Sequence, residues 1–339
     1  MLDTLATRLY QFVRRPRWPE VVSREIVVWA YQRLLGREPE SEIVITEKMN
    51  LRSPFAVIKA ILDSPEYAAR APYMDSYAEP LEVEWQVEPD VAAAMLAHIS
   101  ERWRQLGEEC PYWSVLAGPE FMSENSAERQ QAFYDSGAGD LRMLLATLSR
   151  VGRRPEQFPV VFEFGCGLAR VTSHLCKQFH HVIAADVSPS HLAIARRALS
   201  ERGAANVDLK CATAADFGMS APYDLWFNRF VLQHNPPPLI VAVLERALTL
   251  LRPRGLAIFQ VPVYLAGYRF KINEYFRQYA NHGPFEMHLL PQPVILDLAH
   301  RAGCRLLEIR QEDSAGVPWF PILHIREIVI LARRLWRQT

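Results

Sequence analysis

The stretch Val160–Leu175, "VVFEFGCGLARVTSHL", changes pattern in the middle. Five residues of apolar, β-favouring character carry a single carboxylate, Glu163. They end in Gly165-Cys166-Gly167, and a helical spacing follows. A strand that runs through glycines into a helix opens a βαβ unit. Glycine at such a bend permits left-handed backbone and close approach to whatever lies above it. Three readings compete. One is a tight turn that binds nothing. The second is a dinucleotide fingerprint, which needs a third glycine at position 170 beside a pyrophosphate; position 170 is Arg. The third is a turn for a nucleoside that carries an amino-acid tail and no phosphate.

The third reading makes a demand on the next strand, which should end in a carboxylate able to accept both hydroxyls of a ribose diol. "HVIAADVSPSHLAIARRAL" supplies Asp186 at that place. The glycines would bring main-chain N–H groups to the ligand, and the following helix would offer its positive end to the tail's carboxylate. Glu163 would hold the tail's ammonium or order the loop.

Further along, "VDLKCA", "YDLWFNRF", "LAIFQVP", "RLLEIRQ" and "IREIVILARR" read as strands separated by helical segments. This alternation predicts an α/β, Rossmann-like, mostly parallel sheet. The last two strands have no helix between them, so an antiparallel hairpin at the edge is expected.

Four motifs in this order, "FEFGCGLARVTSHL", "VIAADVSPSHLAIAR", "YDLWFNRFVLQHNPP" and "LLRPRGLAIFQVP", resemble those of class I S-adenosylmethionine-dependent methyltransferases, from about Gln157 to Arg334. The resemblance implies a seven-stranded sheet with an antiparallel last strand, S-adenosylmethionine as cofactor and a methyltransferase activity. Carried over by position, it implies that Glu163, Gly165, Cys166, Gly167, Asp186, Val187, Thr213, Ala214 and Asn228 line the cofactor site. Ala169 stands where a third glycine is common, which predicts a slightly displaced helix start. Thr213 takes the place of an acid that meets the adenine amino group, and Asp216 reads as a helix cap. Arg254 replaces the first glycine of a Gly-Gly turn.

Methyl transfer to an alcohol needs alignment and a base. His234 in "LQHNPP" is the candidate base. Against it stands the reading of a loop-ordering histidine. Acceptor contacts are expected from the insert "VYLAGYRFKINEYFRQYANHGPFEMH", with Tyr264, Tyr268 and Arg269 foremost. "PYWSVLAGPEF" and "AFYDSG" are expected to form a lid through Tyr112, Trp113 and Tyr134. No metal spacing is present, and no metal is expected.

The first part of the chain is different. Residues 21 to 70 read as helices. Ser23 caps one whose face is Ile26, Trp29, Ala30, Arg33 and Leu34. Ser53 and Pro54 open another with Phe55, Ile58 and Leu62 on a face. "YQRLLGREPE" and "ILDSPEYA" resemble a phycobilisome-linker-like bacterial helical module, without its Gly-x-x-x-Trp stretch. The domains expected are 1–75, a helical accessory module; 76–156, a linker and helical cap; and 157–339, the methyltransferase domain. Before the module, Leu2, Leu5, Leu9, Phe12 and Val13 share helical spacing ahead of Arg14, Arg15 and Arg17. This is either an ordinary docked helix or a peripheral membrane contact.

Composition narrows the function classes. Thirty-eight basic and 38 acidic side chains balance, which disfavours a nucleic-acid partner. "HNPPP" has Pro238 where a base-modifying Asn-Pro-Pro-Tyr tetrad has its aromatic. Five cysteines without Cys-x-x-Cys point to a reduced, cytoplasmic chain. The leading expectation is a bacterial-type O-methyltransferase for a saccharide, lipid-linked or small-molecule acceptor. A non-catalytic binding or scaffold protein, or a nucleic-acid methyltransferase, is the alternative.

Overall fold

The computed structural model describes residues 22–35, 37–51, 53–62, 64–66, 81–118, 121, 126–265, 267–278, 285–311 and 323–332. The amphipathic segment Leu2–Arg17 lies outside the described residues. The chain divides into two compact units, 1–80 and 81–339.

The first unit contains helices α1 (Arg24–Leu34), α2 (Glu42–Met49) and α3 (Pro54–Leu62). Ser23 caps α1 by accepting from the Ile26 N–H at 3.4 Å, and Ser53 accepts from Ala56 N at 3.2 Å. The buried face of α1 is Val27, Ala30 and Tyr31, packed with Ile45, Val57 and Ile61. Trp29, expected inside, is exposed. The apolar stripe is rotated by about one residue because Val27 and Tyr31 form the i, i+4 pair that meets α3. The side chains of Arg33, Phe55 and Leu62 lie outside the described set.

The second unit begins with β1 (Glu82–Val83), then α4 (Pro89–Glu109), α5 (Pro111–Val115) and α6 (Ala127–Arg150). The sheet strands and helices follow: β2 (Val160–Phe164), α7 (Thr172–Gln178), β3 (His181–Asp186), α8 (Pro189–Glu201), β4 (Val207–Cys211), β5 (Tyr223–Asn228), α9 (Pro237–Leu250) and β6 (Leu251–Leu265). The unit ends with β7 (Arg269–Phe270), α10 (Ile272–Arg277), α11 (Gln292–Arg301), β8 (Cys304–Gln311) and β9 (Leu323–Ala332).

Seven strands form one sheet in the order β4-β3-β2-β5-β6-β9-β8. All neighbours pair in parallel except β9, which is antiparallel to both β6 and β8. The hairpin read from the sequence is present, with β9 inside the sheet and β8 at the edge. A second, two-stranded sheet pairs β1 with β7, so Glu82–Val83 of the expected linker is bound to the later insert.

Side-chain alternation explains why the strands are buried on both faces. Val161, Leu225, Phe227, Leu256 and Ile258 face one cluster, with Leu144 and Leu148 of α6 and Leu175 of α7. Phe162, Phe164, Trp226, Ala257 and Phe259 face the other, with Met95, Leu96 and Ile99 of α4 and Leu239, Ile240, Val243 and Leu244 of α9. Glu163 shares the parity of Val161 and is therefore turned to the α6–α7 side. Asn228 shares the parity of Trp226 and is turned to the α4–α9 side.

Candidate active site

The carboxyl ends of β2, β3 and β5 converge, as open parallel sheets require of a ligand crevice. At the end of β2, Gly165 and Gly167 have φ of 74° and 53°. Their main chain is bound to the next strand end. Gly165 N and Cys166 N both donate to Ala185 O, at 2.8 and 3.0 Å. Gly167 N donates to Asp186 Oδ2 at 2.8 Å, and Ser188 N donates to Asp186 Oδ1 at 2.9 Å. Each carboxylate oxygen of Asp186 thus holds one main-chain donor. Each keeps capacity for another. The acid is fixed by backbone, with one further acceptor direction on either oxygen.

The bend is covered by side chains. A methyl group built at Gly165 would lie 2.3 Å from a Val231 methyl, and one at Gly167 would lie 2.8 Å from a Val115 methyl. Val115 belongs to α5, so part of the expected lid lies on the turn. Tyr112 and Tyr134, by contrast, pack edge-on with Phe133 beside Leu168.

Glu163 is buried, and Thr172 Oγ1 donates to its Oε2 at 2.6 Å. Burial pushes its pKa up to about 7, against the pull of the Thr172 bond and Arg170. Cys166 is buried and its thiol pKa is pushed well up by the same cause. The helix α7 does not start at the glycines. Residues 168–171 form a turn in which Ala169 takes φ 65°, and the helix begins at Thr172. The displacement expected at Ala169 is present. The helix end expected to face the ligand's carboxylate lies at Thr172, five residues past Gly167.

Val187 is half-buried against the main core. Thr213 and Ala214 are exposed. Thr213 Oγ1 donates to Asp216 Oδ1 at 3.0 Å, and Asp216 also accepts from Gly218 N at 2.9 Å. Asp216 braces a turn over 214–218 and caps no helix, contrary to expectation. Asn228 is buried. Its Nδ2 donates to Phe164 O at 3.0 Å, while its Oδ1 has no hydrogen-bond partner among the described residues.

His234 ends a short 3₁₀ turn, Leu232–His234. Its Nδ1 lies 2.9 Å from Glu286 O. A carbonyl only accepts, so Nδ1 carries the proton. Burial pushes the pKa down, which leaves Nε2 with a lone pair. The rings of Trp103 and Phe285 stand 5.5 and 5.9 Å from this imidazole, centre to centre. Of the three acceptor residues read from the sequence, Tyr268 joins this region. Its hydroxyl is 2.8 Å from His288 Nδ1, and His288 Nε2 is 2.8 Å from Glu286 Oε2. His98 Nε2 reaches Glu286 Oε1 at 3.3 Å. Arg269 is exposed and pairs with Glu274 at 3.2 Å, away from this network. Tyr264 is half-buried against the core near the end of β6. Sequence reading missed Trp103, which comes from the distant helix α4, while Phe285 and Glu286 lie in the insert expected to contact the acceptor but were not singled out there.

Residues 161–255 match the family described as a methyltransferase domain. A comparison with curated proteins found none that match. Among solved structures, magnesium protoporphyrin IX methyltransferase from Synechocystis PCC 6803 with bound S-adenosylhomocysteine is similar at 14% identity. That likeness covers 70% of this chain and 99% of the other, with a TM-score of 0.49. N-methyltransferase NodS from Bradyrhizobium japonicum WM9 is similar at 13% identity, over 68% of this chain and 98% of its own, with a TM-score of 0.43. The cyclase SpnF is similar at 15% identity, over 68% and 97%, with a TM-score of 0.47. Such likenesses assign no substrate. The order of the strands, the glycine turn bound to the acid of the next strand, and the methyltransferase domain matched at 161–255 give this chain the class I, Rossmann-like methyltransferase fold.

Proposed function

We propose that the chain transfers a methyl group from S-adenosylmethionine to an oxygen of a saccharide, lipid-linked or small-molecule acceptor. The carrying observation is Asp186. Its two oxygens are each anchored by one main-chain N–H and each keep one acceptor direction, the arrangement a ribose diol needs. When bound, S-adenosylmethionine supplies an electrophilic methyl on a sulfonium. The residues of this chain do the rest. Asp186 accepts from the ribose hydroxyls, Glu163 faces the ammonium, and the Asn228 Oδ1 offers a further acceptor near the end of β5. His234 takes the acceptor's hydroxyl proton at Nε2, whose lone pair is set by the Nδ1–H bond to Glu286 O. Trp103 and Phe285 exclude water around that nitrogen.

The helical unit serves as an accessory module, on its resemblance alone. A cytoplasmic placement is supported by five free cysteines. No described helix is long and apolar enough to cross a membrane.

Calorimetric titration of S-adenosylmethionine tests the reading. Binding by the wild type and its loss in Asp186→Ala is the expected result; equal affinity in the two removes the ribose assignment. Release of S-adenosylhomocysteine in a screen of hydroxyl acceptors then separates an enzyme from a binding protein.

A further inference from the structure

The two residues whose main chain meets the His234 turn are the two whose side chains hold each other. His234 Nδ1–H donates to Glu286 O at 2.9 Å, and His288 N donates to Gln233 O at 2.7 Å. The side chains of the same pair close on one another, with His288 Nε2 2.8 Å from Glu286 Oε2. Two further elements reach the other carboxylate oxygen. Tyr275 of α10 donates its hydroxyl to Oε1 at 3.3 Å, and His98 of α4 brings its Nε2 to 3.3 Å from the same atom. The Tyr268 hydroxyl stands 2.8 Å from His288 Nδ1 and fixes that ring in turn. The Glu286 side chain is 8% exposed.

A carboxylate is a costly way to fill a buried corner. Apolar side chains would pack the insert against α4 without the desolvation that a charge suffers. What the carboxylate adds is direction. Hydrogen bonds fix where it lies, and with it the peptide that carries it. That peptide presents the carbonyl that accepts the Nδ1 proton of His234. A neutral imidazole can carry its proton on either nitrogen, and the bond made by one nitrogen decides which. A carbonyl held at Nδ1 therefore leaves the lone pair on Nε2. Helix α4 acts on both sides of this arrangement, with Trp103 against the His234 ring and His98 at the carboxylate.

Resting on the His234 assignment above, we infer that Glu286 is a positioning residue for the transfer step: its carboxylate, gathered by His288, Tyr275 and His98, holds the peptide carbonyl that keeps His234 in the Nδ1–H tautomer with Nε2 as the proton acceptor. In this role Glu286 acts through His234 and needs no contact with donor or acceptor. Glu286, His288, Tyr275 and His98 all lie outside the matched segment 161–255, so the base is set by the insert and the helical cap.

The test reads the tautomer directly. Histidine labelled with heavy nitrogen is incorporated into the full chain, and long-range nitrogen–proton correlation spectra are recorded on the alkaline side of neutrality. His234→Gln identifies the His234 signals. The wild type is expected to show the Nδ1–H form. Glu286→Ala is expected to shift the tautomer ratio toward Nε2–H by about 3- to 10-fold, the span of one neutral hydrogen bond, with calorimetric affinity for S-adenosylmethionine unchanged. A ratio equal to wild type overturns the role of Glu286 while the base assignment stands. A shift accompanied by lost S-adenosylmethionine affinity also overturns it, because the carboxylate then holds the domain at large and not the imidazole. A wild-type His234 in the Nε2–H form removes the base assignment itself. Glu286→Asp, which keeps the charge on a shorter arm, covers an alanine variant that does not fold: the ratio is expected to move in the same direction, and an unmoved ratio overturns the inference.

Discussion

The hydroxyl of Ser114 and the Nε2 of His191 lie 2.9 Å apart in a buried contact between residues 77 positions apart in the chain. It fastens α5, which covers Gly167, to the helix that follows Asp186. The other imidazole nitrogen of His191 has no hydrogen-bond partner and stands 3.8 Å from Asp186 Oδ1. Ser114 Oγ donates its one proton to Pro111 O at 2.8 Å, so the imidazole donates to Ser114 through its Nε2–H. Ser114→Ala leaves a buried imidazole nitrogen unpaired and is expected to cost about 1–3 kcal/mol in denaturant unfolding. A change below a few tenths would show that the contact fastens nothing.

Glu163 makes stability depend on pH in a definite direction. Its folded pKa of about 7 exceeds its ordinary 4.5, so the folded chain binds the proton more tightly. Stability from this group is therefore present at low pH and is lost as pH rises from 4.5 through 7. Glu163→Gln removes the cost, and its advantage over wild type should grow from near zero at pH 4.5 to about 3 kcal/mol at pH 8. Thermal melts across that range check the slope. Donor affinity through ionised Glu163 runs the other way, weakening up to about tenfold per pH unit below 7.

His234 should keep its lone pair below its ordinary pKa of 6.5, because burial disfavours the imidazolium. At saturating S-adenosylmethionine, turnover by the wild type is expected to stay level as pH falls through 6.5 and to drop only at lower pH. His234→Gln should lose about 10²–10⁴-fold in kcat while S-adenosylmethionine affinity is preserved. Full turnover in that variant would reduce His234 to a residue that orders its loop.

Two glycines separate backbone strain from crowding. Gly165 and Gly203 both have positive φ, 74° and 69°. An added methyl at Gly165 meets Val231, whereas at Gly203 it meets nothing within 4 Å among the described residues. Gly203→Ala should cost about 1–2 kcal/mol, the left-handed penalty alone. Gly165→Ala should cost about 1–3 kcal/mol more. Gly165→Ala with Val231→Ala should recover part of the excess. Equal losses at the two glycines would show that Val231 does not press on the turn.

The sheet was legible in the sequence because its signals are local. The mostly apolar, β-favouring runs Val160–Phe164 and Tyr223–Asn228, and the glycines after the first of them, report strand ends directly. Glu163, Gly167 and Asp186 were legible for the same reason: each sits at a strand end whose position the pattern sets. Trp103 and Glu286 were hidden because neither has a motif, and only the packing of α4 against the insert brings them to His234. The rotated face of α1 shows a different difficulty. Trp29 and Val27 are both apolar, and only the partner helices decide which one is covered. Asp216 failed as a cap because Phe217 and Gly218 adopt positive φ and turn the chain before a helix can form.

The helices before β2 have a practical consequence. α4, α5 and α6 supply Trp103, Val115 and Asp140, and β1 zips onto the far insert through β7. An expression fragment trimmed to the recognisable strand-and-helix repeat, starting at 157, would keep every diagnostic motif. It would also strip Val115 from the glycine turn, remove the carboxylate that two guanidinium groups share and bare the apolar side chains that α4 and α6 protect. Such a fragment would carry the signature of the enzyme without its working chamber.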